Sequence, residues 1–234
     1  MTPIFREDAY ARRCTARVLS SGPEGIRLDA TVFYPTGGGQ PGDAGALRWA
    51  GGELAIREAV KGAAPDEVLH LPAGDGPLPA PGTEVEAEID WARRSAHMRM
   101  HTCLHLLCAV VPGSVTGGQI GAERSRLDFA VPPGSLDKDA ITARLNELAA
   151  GDHPVRTRWI SDEELASRPE LVRTMSVKPP TGSGRVRLVE IEGVDLQPCG
   201  GTHVARTAEI GRVEVVKIEN KGRQNQRIVI AFAS

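Results

Sequence analysis

Apolar and polar residues alternate along most of the first ninety positions of the chain. Short segments such as TARVLSS, GALRW and TEVEAEID follow the two-residue period of half-buried β-strands, and clusters of Gly and Pro separate them. Many short strands with turns between them are typical of a small β-barrel or sandwich. The segment GAAPDEVLHLPAGDGPLPAPG is rich in Gly, Pro and Ala, so we interpret it as a turn-rich connection that holds no long helix.

The periodicity changes at Trp91. Apolar residues then recur three and four positions apart, which predicts an amphipathic helix over residues 92–111 that Pro112 and Gly113 end. A change of this kind is typical of a domain boundary. We therefore expect a β-barrel domain over residues 1–90 and a second domain over residues 91–234.

The second domain mixes helices with strands. SLDKDAITARLNELAAG predicts a helix with its N-cap at Ser135 and its end at Gly151, and a shorter helical segment is expected to begin at Ser161. SRLDFAV, VRLVEIEGV, RVEVVKIEN and QRIVIAF alternate as strands do. The predicted fold class is α+β, with a small N-terminal β-barrel followed by an α+β domain.

The composition limits where the protein is expected to act and what it is expected to bind. The 234 residues are 41% hydrophobic and 25% charged, and neither an apolar N-terminal segment nor a run of about 18 apolar residues occurs. We expect a cytoplasmic protein with no membrane partner. The formal net charge of −2 argues against indiscriminate nucleic-acid binding, and DNA is not an expected partner. Four scattered cysteines suit core thiols or metal ligands better than disulfides.

Two short motifs carry potential metal ligands. HTCLH places His101 and His105 four residues apart on one helix face, and CGGTH places Cys199 and His203 at the same spacing around two glycines. Histidine and cysteine together suit zinc. The glutamate of the HExxH protease motif is missing because Thr102 stands there. Four protein ligands would indicate a structural ion and an open position a catalytic one, and the sequence leaves both possible.

The motifs HTCLHLL and CGGTH occur together with the segments FYPTGGGQPGDAG, SRLDF and ENKGRQNQRI. This combination resembles the editing domain of alanyl-tRNA synthetase and its free-standing relatives, the AlaX proteins. The editing module of threonyl-tRNA synthetase shares only the histidine and cysteine pattern. The resemblance implies a barrel of translation-protein type and a trans-acting hydrolase of mischarged tRNA(Ala). It implies that seryl and, in some members, glycyl esters are removed while Ala-tRNA(Ala) is spared. One Zn²⁺ per chain would lie among the four ligands above, and no ATP site is expected.

Recognition of serine requires a polar group that hydrogen-bonds its hydroxyl. Thr36 is the first candidate, because the glycines after it allow close backbone approach to a substrate. Gln119 is the second, since it occupies the position of a functional glutamine in the family that the chain resembles, and Gln40 is a weaker third. The alternative is that TGGGQPGDAG only forms a tight connection between strands. Thr102 and Cys103 are expected to serve helix packing, and His97 to be exposed.

A basic rim is the expected contact with tRNA phosphates. Its predicted members lie at the start of the long helix and in the last segment of the chain: Arg93, Arg94, Arg99, Lys217, Lys221, Arg223 and Arg227, with Arg185 and Arg187 as further candidates. With 4% aromatic residues, base stacking is not expected to dominate. A charge cluster can also be a solvated surface. Two rival functions stay open: a non-catalytic tRNA-binding module with a structural zinc, and a zinc hydrolase of another ester.

Overall fold

The computed structural model describes residues 1–64, 66–172 and 184–233. The chain forms two compact units, Met1–Ser95 and Ala96–Ser234. Among the described residues, no helix is both long enough and apolar enough to cross a membrane.

A closed six-stranded barrel dominates the first unit. The strands of this unit are β1 (Thr2–Pro3), β2 (Arg13–Gly22), β3 (Gly25–Leu28), β4 (Ala30–Thr31), β5 (Gly45–Trp49), β6 (Gly52–Lys61), β7 (Val68–Pro72) and β8 (Glu84–Ile89). The order in the barrel is β2-β3-β7-β6-β5-β8, and every neighbouring pair is antiparallel. Apolar side chains that alternate along these strands fill the interior, as the sequence pattern predicted.

Strand β7 lies inside the segment that we interpreted as a turn-rich connection, so that interpretation missed a barrel strand. The segment VLHLP alternates buried Val68 and His70 with half-buried leucines. His70 is completely buried: its Nδ1 lies 2.9 Å from the Ile26 carbonyl and its Nε2 lies 2.8 Å from the Thr31 hydroxyl. Because a polar residue occupies a core position and Gly and Pro surround the segment, the sequence does not show the apolar and polar alternation that is typical of a strand.

Helix α1 (Trp91–Val110) matches the predicted helix to within one residue and continues into the second unit. Two further helices follow, α2 (Lys138–Ala150) and α3 (Asp162–Ala166). The N-cap of α2 is Asp137, whose carboxylate accepts hydrogen bonds from the backbone N–H groups of Asp139 and Ala140. The predicted cap, Ser135, instead donates its hydroxyl to the Pro132 carbonyl. The predicted end at Gly151 and the predicted start at Ser161 are confirmed.

The described residues of the second unit contain seven strands: β9 (Val115–Gln119), β10 (Arg124–Phe129), β11 (Val155–Ser161), β12 (Arg185–Ile191), β13 (Asp195–Pro198), β14 (Val213–Asn220) and β15 (Gln226–Phe232). They form two antiparallel sheets, one of order β14-β15-β10-β9 and one of order β11-β12-β13. Four of these strands were predicted, whereas β9, β11 and β13 were not. One face of the three-stranded sheet packs Ile160, Val186 and Leu188 against Leu165 and Leu171.

Candidate metal centre

The two histidine and cysteine motifs converge in the second unit. His101 and His105 lie one turn apart on α1, Cys199 follows the end of β13, and His203 lies in the loop after it. The potential ligand atoms of the four residues lie within 4.8 Å of one another, and three of the residues are buried. The Sγ of Cys199 is 3.4 Å from Nε2 of His101 and 3.3 Å from Nε2 of His203.

These distances fit a tetrahedral zinc ion. Zinc binds imidazole nitrogen at about 2.0–2.1 Å and thiolate sulfur at about 2.3 Å, so two such ligands on a tetrahedron are separated by about 3.5 Å. The nitrogen–sulfur distances of 3.3 and 3.4 Å match that edge. Three imidazoles and one thiolate also form a donor set that zinc prefers. The residues therefore suit a zinc ion in both chemistry and spacing.

Thr102 fixes the orientation and the tautomer of His203. Its hydroxyl, which is completely buried, donates to the Met98 carbonyl at 2.9 Å. The same oxygen therefore accepts the proton on Nδ1 of His203, 3.1 Å away, and also accepts the Val204 N–H. Because Nδ1 carries the proton, Nε2 of His203 presents its lone pair to the centre. Thr102 was expected to serve only helix packing, and this hydrogen bond is a role that the expectation missed.

Asp195 orients His105 in the corresponding way. Nδ1 of His105 lies 3.0 Å from Oδ2 of Asp195, which also accepts the side-chain amide of Gln197 at 2.8 Å. Burial lowers the pKa of His105, but the Asp195 carboxylate and the Cys199 sulfur together outweigh burial and raise the pKa to about 9. A carboxylate behind an imidazole makes the ring a more basic metal ligand. The second histidine of HTCLH is thus supported for metal binding.

Arg187 holds the loop that carries Cys199. Its guanidinium donates to the carbonyls of Cys199 and Gly201, both at 2.9 Å, and its own carbonyl accepts the Cys199 N–H at 3.0 Å. Burial raises the pKa of the Cys199 thiol, yet His101 and His203 hold that pKa well below its usual range. The thiolate is the form that binds a metal. Arg187, a candidate for the RNA-contacting rim, is buried and serves this loop instead.

The sequence contained a signal for these supporting residues. Asp195, Gln197 and Cys199 are two residues apart in DLQPC, so on a strand their side chains project from one face. Strand β13 was not predicted, so we did not recognise that these three side chains share one face of a strand. His97, expected to be exposed, is buried.

Thr36 and Gln40 belong to the first unit. Gly37 and Gln40 exchange two backbone hydrogen bonds of 3.0 Å around Gly38 and Gly39, both of which have positive φ. The segment thus forms a tight turn, which is the structural role that we had weighed. The Thr36 hydroxyl is exposed, donates to the Glu58 carboxylate and accepts the Gly42 N–H at 2.7 Å. Gln40 is completely buried.

Gln119 lies in the second unit at the end of β9, which is an edge strand. The residue is exposed, and its side-chain oxygen accepts a long hydrogen bond of 3.4 Å from Nε of Arg126. Its amide is thus accessible to a ligand.

The prediction that Arg94 contacts RNA is wrong, because Arg94 is completely buried in the first unit. Its guanidinium pairs with the equally buried Asp43 and also donates to the Val32 carbonyl. Its neighbour Arg93 is half-buried and donates two hydrogen bonds of 3.3 Å to the Gly42 carbonyl. The start of α1 therefore supplies structural cations.

Two other predicted rim residues also have protein partners. Arg99 donates two hydrogen bonds to the Ile210 carbonyl and stacks 4.0 Å above the Phe232 ring. Arg227 forms a bidentate pair with Asp128, at 2.7 and 2.9 Å. Both arginines fix neighbouring segments of the second unit to one another.

Strand β14 and the turn that follows it keep three basic side chains at the surface: Lys217 lies in the strand, and Lys221 and Arg223 lie in the turn. Lys217 and Lys221 are exposed and both pair with Glu219, at 2.7 and 3.5 Å. Arg223 is exposed. Of the predicted rim, this turn is the part that is best placed for phosphate contact.

Known proteins resemble this chain over nearly its whole length. Residues 186–229 match the family model of the threonyl and alanyl tRNA synthetase second additional domain, and residues 9–93 match that of class II (A) tRNA synthetases. Alanyl-tRNA editing protein AlaX-M of Methanosarcina barkeri is 36% identical, over 96% of each chain. The AlaX-M of Saccharolobus solfataricus is 33% identical over the same shares. Alanine–tRNA ligase of Korarchaeum cryptofilum is 38% identical over 91% of this chain and 24% of the ligase.

Proposed function

The chain belongs to the AlaX family of alanyl-tRNA editing proteins, and from this premise we propose that it deacylates mischarged tRNA(Ala) in trans. Ser-tRNA(Ala) is the main substrate, Gly-tRNA(Ala) is a second one, and Ala-tRNA(Ala) is spared. The observation that carries the proposal is the convergence of His101, His105, Cys199 and His203, with their supporting hydrogen bonds, in one buried cluster.

One Zn²⁺ ion would be held by those four residues, and a zinc ion of this kind supplies Lewis acidity toward a carbonyl or a water molecule. The protein's own part is positioning. An aminoacyl ester is already activated, so its hydrolysis depends chiefly on a well-placed water and on support for the developing oxyanion. Thr102 and Asp195 keep His203 and His105 in fixed orientations for that task.

Serine differs from alanine by one hydroxyl. A polar group that hydrogen-bonds the serine hydroxyl has no partner when alanine is bound, so it discriminates strongly between the two amino acids. We assign recognition of that hydroxyl to Thr36 and give Gln119 the placement of water or substrate. The proton of the Thr36 hydroxyl is donated to Glu58, so Thr36 can offer only an acceptor to the serine side chain. The neighbouring Glu58 carboxylate would offer a second acceptor.

The barrel unit is, in this proposal, a domain of translation-protein type and the second unit the editing domain, acting together on tRNA in the cytoplasm. Phosphate contacts come from Lys217 on β14 and from Lys221 and Arg223 in the turn after it. The rival function is a non-catalytic tRNA-binding module, which the four-ligand cluster favours because a closed shell is typical of structural zinc.

Cysteine variants separate the two functions. Cys199→Ala removes one ligand, while Cys14→Ala changes a half-buried cysteine of strand β2 outside the cluster. We expect Cys199→Ala to lose zinc and the hydrolysis of Ser-tRNA(Ala) together, whereas Cys14→Ala keeps both. Zinc content is measured by atomic emission and deacylation by release of labelled serine and glycine. Wild-type protein that contains zinc, binds tRNA and hydrolyses neither ester would establish the rival.

A further inference from the structure

A row of three residues crosses the three-stranded sheet and ends at the metal centre. Trp159 on β11 lies directly opposite Arg187 on β12. On the other side of β12, Leu188 lies opposite Pro198 of β13. One residue further along, the Cys199 N–H donates to the Arg187 carbonyl, so Cys199 lies beside Arg187. Residues opposite each other in antiparallel strands project from the same face. The sheet face that carries Cys199 therefore also carries Trp159.

The two faces of this sheet differ in their surroundings. The apolar cluster around Leu165 and Leu171 covers the face of Ile160, Val186 and Leu188. Trp159 projects from the opposite face, from an edge strand, and 43% of its surface is exposed. Tryptophan is one of the residues that are enriched at contact surfaces.

Arg185 completes the feature. This residue is exposed, and its guanidinium carbon lies 4.5 Å from the centre of the Trp159 ring. An indole beside a guanidinium group offers planar, polarisable surfaces and a positive charge, which are the groups that bind unpaired nucleobases and their phosphates.

The distance to the centre suits the end of an RNA strand. Neighbouring strands are about 4.8 Å apart, so the backbone of Trp159 is about 10 Å from that of Cys199. An aminoacyl ester is attached to the last nucleotide of tRNA, whose 3′ end is single-stranded. A nucleotide strand that brings its ester to the metal centre can therefore reach Trp159.

We propose that Trp159 and Arg185 form a stacking platform for a base of the single-stranded 3′ end of the tRNA substrate, beside the metal centre. This inference rests on the proposed function. It also revises the expectation, drawn from the low aromatic content, that base stacking contributes little. The platform positions the substrate and takes no part in bond breaking.

Two substitutions test the platform through kinetics. Trp159→Leu keeps an apolar side chain but removes the π face, while Trp159→Phe retains a smaller one. Stacking of one base changes binding by about 5-fold to about 100-fold, and for a half-exposed ring we expect the lower end. Trp159→Leu should raise KM for Ser-tRNA(Ala) about 5-fold or more with little change in kcat, and Trp159→Phe should recover most of that loss.

Leu19→Ala is the matched control, because Leu19 is an exposed apolar residue of the barrel unit and 55% of its surface is accessible. We expect this variant to show the wild-type KM, and zinc content to stay unchanged in all three variants. An unchanged KM in Trp159→Leu, or an equal rise in the Leu19 control, would overturn the platform.

Fluorescence tests the contact without any hydrolysis. The chain has three tryptophans, so Trp49→Phe with Trp91→Phe leaves Trp159 as the sole emitter. Uncharged tRNA(Ala) should quench that emission, and the same tRNA without its 3′-terminal CCA should not. Equal quenching by both RNAs would place another RNA segment on the platform, and no quenching by RNA that does bind would leave the surface to a protein partner. Either result contradicts the proposal.

The two arms also separate this inference from the proposed function. If wild-type protein hydrolyses no aminoacyl-tRNA, the function fails, and the fluorescence result still decides whether Trp159 contacts the 3′ end. If hydrolysis is normal while KM and fluorescence are insensitive, only the platform fails.

Discussion

Replacing Thr102 by Val tests whether the hydroxyl inside HTCLH supports the metal centre. Val has nearly the same shape as Thr, so the substitution removes a hydroxyl and leaves no cavity. Three hydrogen bonds are lost: the one to the Met98 carbonyl at 2.9 Å, and those from His203 Nδ1 and the Val204 N–H at 3.1 and 3.3 Å. The residue is completely buried, so water cannot replace them.

The effect on zinc binding follows from the tautomer of His203. When Nε2 binds a metal, Nδ1 must carry the proton, and in Thr102→Val that N–H has no acceptor. Without metal the proton can reside on Nε2 instead, beside the Cys199 sulfur. The metal-free protein therefore avoids part of the free-energy cost of an unpaired N–H at Nδ1. An unpaired buried donor costs about 1–3 kcal/mol. We therefore expect zinc affinity to fall about 10- to 100-fold, the usual range for residues that orient a ligand.

The assay is a competition titration of zinc against a chromophoric chelator, with Thr102→Ser as the control. Serine keeps the hydroxyl and loses only a methyl group, so its zinc affinity should stay within about 3-fold of wild type by comparison. Unfolding in urea of the metal-free proteins measures the general loss of stability separately, which we expect to be about 1–2 kcal/mol for Thr102→Val. Wild-type zinc affinity in a folded Thr102→Val protein would refute the assigned role.

Two single variants and one double variant test the buried His70, the buried Arg94–Asp43 pair and the basic turn after β14. Burial lowers the pKa of His70 to about 4, so the unfolded chain takes up a proton near pH 6.5 before the folded barrel does. Stability is therefore full above pH 6.5 and falls by about 3 kcal/mol toward pH 4; His70→Gln should flatten the pH profile of urea unfolding, and parallel profiles would contradict this. Arg94→Met leaves Asp43 unpaired in the barrel unit, so thermal or urea unfolding should show a loss of about 3–5 kcal/mol, and a loss below about 1 kcal/mol would be incompatible with that pair. Neutralising Lys221 and Arg223 together should weaken tRNA binding and reduce the slope of log affinity against log salt concentration, whereas an unaltered slope would exclude this turn as a phosphate contact.

Apolar periodicity was sufficient to locate the helix, and the four-residue spacing of histidine and cysteine was sufficient to identify both ligand motifs. His101 and His105 share a helix face because of their spacing alone, and α1 begins within one residue of its predicted start. Residues far apart in sequence are less accessible to such reasoning. The convergence of Cys199 with the helix depends on β12 and β13, and β13 is only four residues long.

The residues that were misjudged share a physical cause. Arg94 has the charge of a surface residue, and only the position of Asp43, fifty-one residues earlier, makes it a buried ion pair. His70 has the polarity of a loop residue, and only the Ile26 carbonyl and the Thr31 hydroxyl allow it to be buried. Burial of a polar side chain depends on partners that tertiary structure brings together, so a linear pattern does not reveal it.

Trp159 shows the converse case. Its strand, β11, carries four consecutive exposed residues and lacks the alternation that predicts a half-buried strand. The significance of the side chain comes from its place opposite Arg187, in the row that ends at Cys199. That relation exists only once three strands are aligned.

A side-by-side single-turnover assay of Ser-tRNA(Ala) and Ala-tRNA(Ala), with zinc-loaded and chelator-stripped protein, measures the proposed editing activity directly. Hydrolysis of the seryl ester, at least about 100-fold faster than that of the alanyl ester and lost with the zinc, is the predicted result. Zinc-loaded protein that hydrolyses neither ester, or removes alanine as readily as serine, would contradict the assignment of a Ser-tRNA(Ala) editing hydrolase.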